Sequence, residues 1–300
     1  MAAKAGLRQR LIEKCWGWVF VLPTIAGLVI LNIIPIFMNF WQSFNKVGDF
    51  GRGNVFVGFA NYIQLIGSKE VWQALLNTLI YTVIEVPFSV AIGFIFAVIL
   101  NQRLSGQSFF RTVFFLPMIV APAAVAMVWR YLFNTNFGLL NYILTNIGLN
   151  PVGWISDPNI ALLSIAVSGI WGSFGYSMVL ILAGLQDIPK DYYEAADLDG
   201  AGFIRKQFIV TLPMVSPVLF FIFVTRIIGS MQVFDSIFVI LGRHSPALPK
   251  TQSLVYLFYK YSFIDNNRGL GAAVVLVLLL VIMIITAVQQ GVQKRWVHYG

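Results

Sequence analysis

Residues 186–206 read QDIPKDYYEAADLDGAGFIRK, and what flanks them decides how they are read. On one side, 159–186 carries no charge. On the other, 208–241 carries only Arg226 and Asp235. The 21 residues between hold five of the chain's 12 acids: Asp187, Asp191, Glu194, Asp197 and Asp199. Each flanking run is long enough to cross a bilayer, which takes ~20 apolar residues. The polar segment is therefore a loop joining two membrane spans. Its local signals are helical. Pro189 suits a first helical turn, where its missing N–H costs nothing, and the early acids suit the positive end of the helix dipole. Gly200 suits the helix C-terminus and Gly202 keeps the following turn flexible. A second helix then leads through Phe208 into the next run. Tyr192, Ala195 and Ala196 share a face by i, i+3, i+4 spacing, and the two alanines there let another backbone approach closely.

The rest of the chain has the same apolar character. Of 300 residues, 58% are hydrophobic and 11% charged, where soluble domains carry roughly 25% charged residues. So few charges cannot wet the surface of a globule. The predicted fold class is all-α: a polytopic membrane protein, one domain over 1–300, with six transmembrane helices near 16–44, 71–100, 112–133, 159–186, 208–241 and 269–293. The first and fifth runs exceed one crossing and are expected to tilt, kink or continue into loop helices. The net charge of +8 does not mark a nucleic-acid partner, because the 20 Lys and Arg are scattered between apolar runs and form no basic face. Their natural use is topology against membrane lipid. A single cysteine, Cys15, excludes an internal disulfide or a multi-cysteine metal site. Two histidines, His244 and His298, leave little for a His-based one, so no metal is expected. The basic start (Lys4, Arg8, Arg10, Lys14) fits a signal-peptide n-region, but the apolar run is about twice too long, and it reads as a retained helix.

Six spans put both termini on one side. That side collects 11 Lys and Arg: the N-tail, Arg103, Arg111, Lys190, Arg205, Lys206, Lys294 and Arg295. The opposite loops hold seven: Lys46, Arg52, Lys69, Arg243, Lys250, Lys260 and Arg268. The excess places both termini and the 186–206 loop in the cytoplasm.

Glu194-Ala195-Ala196, three residues, Gly200, nine residues and then Val210-Thr211-Leu212-Pro213 resemble the cytoplasmic EAA signature of ATP-binding-cassette (ABC) importer permeases. Val210 stands where that family usually has isoleucine. Asp199-Gly200-Ala201 with Leu212-Pro213 is similar to the binding-protein-dependent sugar permeases, the MalF-like half with a MetI-type transmembrane domain. Phe115-Leu116-Pro117, Phe133-Asn134 and Phe137-Gly138 fit as well, and the resemblance covers essentially the whole chain. It implies a permease subunit for a carbohydrate, in a cell membrane of a bacterium or archaeon. Its implied partners are a second homologous permease, two cytoplasmic ATP-binding subunits and an extracytoplasmic solute-binding protein. ATP and Mg would be bound by those subunits, leaving this chain without a cofactor and not an enzyme. Glu194, Ala195, Ala196, Gly200, Leu212 and Pro213 would couple it to the ATPase. The residues agree by absence: the chain holds no G-x-x-x-x-G-K-[ST] phosphate loop, H-E-x-x-H or G-x-S-x-G.

Ionisable groups at membrane depth cost at least ~2.5–3.5 kcal/mol on insertion scales, so each needs a reason. Glu85, beside Val86-Pro87, holds the proline kink by a hydrogen bond, lines the pathway, or pairs with a partner-subunit cation. Arg130, between Trp129 and Tyr131, reads as a snorkelling anchor. Arg226, Gly229, Ser230 and Val233 share one helix face that could line a polar cavity; the rival for Arg226 is an ion pair with Glu85 or with a partner-subunit carboxylate. Gly169, Gly172 and Gly175 suit close helix packing. Among them, Trp171 and Tyr176 offer amphipathic rings to a hydroxylated solute. Arg226 also leaves room for an anionic solute such as glycerol phosphate or an acidic oligosaccharide.

Two other classes compete. A stand-alone secondary transporter is expected to show internal repeats and paired intramembrane carboxylates, whereas Glu85 and Asp235 are isolated. A membrane enzyme needs a nucleophile–base or metal cluster, and none is visible. The topology is testable with single cysteines in a Cys15-free background. Position 194 is expected to resist an impermeant thiol reagent applied outside intact cells, and labelling there overturns the orientation.

Overall fold

The computed structural model describes residues 17–47, 53–102 and 106–296. The N-tail lysines and arginines, Cys15, Trp16, Arg52, Arg103 and His298 lie outside the described residues. Four helices are long and apolar enough to cross a membrane: α1 (Gly17–Ser43), α3 (Lys69–Leu100), α7 (Ala161–Gln186) and α12 (Arg268–Trp296). Their starts and ends match four of the expected spans closely. Between α1 and α3 lie a two-stranded antiparallel ribbon, β1 (Asn45–Val47) with β2 (Asn54–Phe56), and the short α2 (Ala60–Gly67). The ribbon is the only β structure among the described residues.

The other two expected spans are not single straight helices. The run 112–133 is divided into α4 (Gln107–Ile119) and α5 (Pro122–Leu132), which meet at 96°. Pro122 disfavours helical backbone at its predecessor Ala121, and Val120 and Ala121 are extended at ψ 141° and 128°. At 1.5 Å per residue α4 is about 20 Å long and α5 about 16 Å, each short of a ~30 Å hydrocarbon core. The run 208–241 is divided into α9 (Phe203–Met214), α10 (Ser216–Met231) and a π-helical turn Ile237–Leu241, with 71° between α9 and α10. Counting each bent pair as one span restores six. The loops add α6 (Leu139–Asn146), α8 (Lys190–Leu198) and α11 (Leu254–Ile264).

Helix α3 contributes to every core cluster. Its first turns (Val71, Ala74) pack with α2, α11 and α12. Tyr81 packs with α5, the start of α7 and the π turn. Its second half (Val86, Val90, Ala97, Leu100) packs with the end of α7, α8 and α10. The α3–α7 contact is close because small residues admit it. A Cβ on Gly93 would stand 2.7 Å from Ser177 Cβ and 2.9 Å from the Met178 nitrogen. One on Gly169 would overlap the Tyr81 hydroxyl, and one on Gly175 the Phe114 carbonyl of α4. Gly172 differs, since nothing lies within 4 Å of the added carbon. Of these three α7 glycines, Gly169 and Gly175 are thus packing residues, and Gly172 faces open space.

Gly93→Ala is expected to lower stability by ~1–3 kcal/mol through overpacking, read as a lower midpoint of thermal unfolding in detergent. Gly172→Ala is the matched control and should leave the midpoint unchanged.

Candidate functional site

Two features stand out, one at an end of the bundle and one inside it. At the end sits α8. Pro189 is its N-cap and Asp191 lies in its first turn. It stops in a Schellman motif: Ala201 N–H donates to the Ala196 carbonyl at 2.9 Å and Gly200 N–H to the Asp197 carbonyl at 3.0 Å. The motif needs a left-handed residue, and Gly200 has φ +71° with empty space around it. Conformation, not crowding, demands the glycine.

The face expected from Tyr192, Ala195 and Ala196 is turned differently. Ala196 points inward and is buried with Ala201 against Leu185, Ile188, Val210 and Val215. Consecutive helix positions lie about 100° apart, so burying Ala196 exposes Ala195. Tyr192, Glu194, Ala195 and Leu198 are left outside, Leu198 at 91% exposure. The tie to α9 is polar: Tyr193 and Thr211 share a hydroxyl hydrogen bond at 3.1 Å, and Lys206 pairs with Asp197. Leu212 packs half-buried on the same core, and Pro213 follows it near the end of α9. The structure brings five of the six expected coupling residues onto α8, its cap and its anchor, with Pro213 at the α9–α10 break.

Inside the bundle, α3, α7 and α10 meet in a polar seam. Glu85, fully buried, accepts from Arg226 Nη2 and from the Ser173 hydroxyl on the same Oε1. The Arg226 side chain is 18% exposed. One turn further along α10, Ser230 donates to Thr82 Oγ1 at 3.1 Å. Glu85 Oε2, Ser177 Oγ and Arg226 Nε are buried there without a hydrogen-bond partner. Three expectations change. Glu85 does not hold the Pro87 kink; it holds Arg226. Ser230 does not line a cavity; it is 2% exposed and bonds to α3. Of the two readings of Arg226, the ion pair with Glu85 is the one present. Gly229 alone of that face remains exposed. Trp171 and Tyr176 are not brought together, since five residues of helix turn them about 140° apart. Trp171 sits edge-on to Trp129 at 5.9 Å, whereas Tyr176 is half-buried on another face. Arg130 is more than an anchor: its Nη1 donates to the Val239 carbonyl of the π turn at 3.3 Å.

At the end opposite α8, Glu70 clamps α3 to α11. It accepts from Lys260 Nζ at 2.7 Å, Tyr261 Oη at 3.1 Å and Gln252 Nε2 at 3.2 Å. Burial, then the Glu70 charge, push the Tyr261 phenol up to about 12, so it stays a donor at neutral pH. Sequence reasoning missed this clamp and the bond from Ser173 to Glu85. Their residue types are common, and the contacts join positions about 90 to 190 apart in the chain.

A bundle of long and broken apolar helices with a capped polar helix at one end is the architecture of a multi-pass membrane protein. Residues 89–298 match the family described as binding-protein-dependent transport system inner membrane component. The trehalose/maltose transport system permease protein MalF of Thermococcus litoralis is 32% identical over 276 residues, 92% of each chain. The sn-glycerol-3-phosphate transport system permease protein UgpA of Agrobacterium fabrum is 31% identical over 291 residues, 96% of this chain and 98% of that one. A chain from the crystal structure of a bacterial alginate ABC transporter, in complex with an alginate pentasaccharide-bound periplasmic protein, superposes with a TM-score of 0.84 at 20% identity, covering 97% of this chain and 98% of its own. The chain belongs to the binding-protein-dependent transport system permease family.

Arg226→Ala leaves a buried carboxylate without its cation and is expected to destabilise by about 3–5 kcal/mol. Replacing both partners, as Glu85→Leu with Arg226→Met, should recover most of that loss. Thermal unfolding of the purified protein reads both. An Arg226→Ala protein as stable as wild type shows that the pair carries no structural weight.

Proposed function

We propose that this chain is one of the two permease subunits of an ABC importer and forms, with a second related permease, the translocation path for a carbohydrate. Both termini and α8 lie in the cytoplasm, as the Lys and Arg distribution favours. The coupling residues are Glu194, Ala195, Ala196, Gly200, Leu212 and Pro213. They dock α8 into a cleft of a partner ATPase, and two such ATPase subunits bind and hydrolyse ATP with Mg. An extracytoplasmic solute-binding protein delivers solute at the opposite end.

One observation carries the reading. Helix α8 is short, closed at its C-terminus by the Schellman turn and anchored by buried alanines, yet it leaves Tyr192 half exposed and Leu198 almost fully exposed. A helix held rigidly while presenting apolar side chains suits insertion into a partner.

The solute class is argued from relatives named for trehalose/maltose and for glycerol-3-phosphate, and from the alginate transporter that shares the fold. Such a scaffold serves neutral and acidic solutes alike. Arg226 no longer argues for an anionic one, because Glu85 cancels its charge. A neutral sugar or oligosaccharide is the favoured solute. Tyr176, Gly229 and Trp171 remain as contacts, whereas Arg226 and Ser230 support the helices that carry them.

Gly200→Val, strained at φ +71°, and Glu194→Lys, on the exposed face, are expected to abolish uptake and weaken copurification of the ATPase, while the chain still inserts. Wild-type uptake in both variants overturns the docking role. A tagged wild-type chain that brings down neither an ATPase nor a second permease overturns the importer reading itself.

A further inference from the structure

An open pocket of about 400 Å³ lies between the loop after α5 and the loop after the π turn, and the function above does not use it. Arg130, Asn134, Ser156, Arg243 and His244 line it, and no Asp or Glu does. Both guanidinium groups are held by fixed partners. Arg130 donates to the Val239 carbonyl at 3.3 Å. Arg243 donates to the Tyr259 hydroxyl, and its guanidinium carbon stands 5.6 Å from the Tyr259 ring centre and 5.9 Å from that of Phe238. Gly242, at φ +70°, makes the turn that delivers Arg243.

The facing wall is fixed too. Asn134 Oδ1 accepts from the Asn136 and Phe137 nitrogens at 2.9 and 3.2 Å, so its amide N–H groups are the part left to offer. Asn141 fastens the loop behind it, donating to the Thr135 and Val152 carbonyls and accepting from Val152 N and Trp154 Nε1. The pocket is thus a preorganised set of donors and two permanent cations. Charge-assisted bonds from guanidinium to carboxylate are the strong ones and are often bidentate. Ser156 lies five residues before the start of α7, and α8 lies beyond its other end, about 39 Å away at 1.5 Å per residue.

We propose that this pocket receives a carboxylate side chain of the extracytoplasmic solute-binding protein and fixes how that protein docks. The proposal rests on the importer reading, which puts the end opposite α8 outside the cell. A partner that must arrive and leave in each cycle gains encounter rate and register from complementary charge at the surface of the interface. Rigid, outward-facing donors on loops suit that use.

The test uses the complete importer in lipid nanodiscs with its solute-loaded binding protein. It measures the binding-protein concentration that half-maximally stimulates ATP hydrolysis, at low and high salt. Arg243→Glu is expected to raise that concentration about tenfold and Arg243→Gln about threefold. Both should flatten its salt dependence, because an exposed pair is screened over ~8–10 Å at physiological salt. Lys46→Glu, an exposed charge reversal away from the pocket, should leave it within about twofold. A carboxylate-to-Lys change on the docking face of the binding protein should restore Arg243→Glu. If wild type responds and both Arg243 variants respond equally, the proposal falls and the importer reading stands. If wild type responds to no binding protein, the importer reading falls and takes the proposal with it. An effect confined to nanodiscs with anionic lipid assigns the pocket to a lipid phosphate. An effect on the solute concentration dependence alone assigns it to the solute. Either result overturns the proposal.

Discussion

Glu85 and Arg226 stand 141 residues apart in sequence, and the bundle is arranged so that they touch. Neither charge is tolerable alone in hydrocarbon. Each helix must therefore rotate and slide until the two meet, which fixes the register of α10 against α3. Ser173 adds α7 to the same junction, and it reaches Glu85 only because Gly93 and Gly169 let α3 and α7 approach. An apolar replacement of a buried pair is often at least as stable. What the pair supplies is position.

The second constraint acts on the backbone. No lipid group can satisfy a free carbonyl, so irregular backbone is tolerated only where protein covers it. The 96° break between α4 and α5 follows from Pro122, and α4 lies against α7 through Gly175. The break between α9 and α10 falls at Val215, which is fully buried. There Pro217 has no N–H to offer the Pro213 carbonyl. The α9–α10 break is therefore sheltered by the core around it, whereas residues 118–124 at the α4–α5 break are exposed on this chain.

How much of this was legible in the sequence follows from the range of each force. Apolar runs and their flanking loops reported the four straight spans to within a few residues, because hydropathy is a local property. Gly200 announced its own left-handed turn for the same reason. The bends were half legible: Pro122 and Pro217 were visible, but not that each would divide a run rather than kink it. Side-chain partners were the least legible. The spacing of Arg226, Gly229 and Ser230 correctly put them on one face, and nothing local said that the face was turned toward α3. Glu85 could be weighed as a partner of Arg226 only because opposite charges at membrane depth are so scarce that pairing is nearly forced. Serines and threonines are too common for such reasoning, so the partners of Ser173 and Thr82 could not be read. On α8, the spacing grouped Ala195 with Ala196 but could not tell which one the core would take.

The two features of the site are joined by packing. Ala196 and Ala201 press on Leu185 and Ile188 at the end of α7 and on Val215 at the start of α10. Those same two helices carry Ser173 and Arg226 to Glu85. A push on α8 is therefore transmitted into the two helices that meet α3 at the ion pair, with no mobile linker between. Contiguity alone is not coupling, which requires an element with two discrete arrangements. The position best suited to supply one is the α9–α10 break. It lies between α8 and Arg226, it already departs from helix by 71°, and Pro217 has removed a backbone bond that would otherwise resist a change of angle. Rotating α10 about that break moves Arg226 relative to Glu85, and the strength of their attraction in a medium of low dielectric resists that rotation. The ion pair that sets the register of the bundle is thus also the contact that opposes its rearrangement.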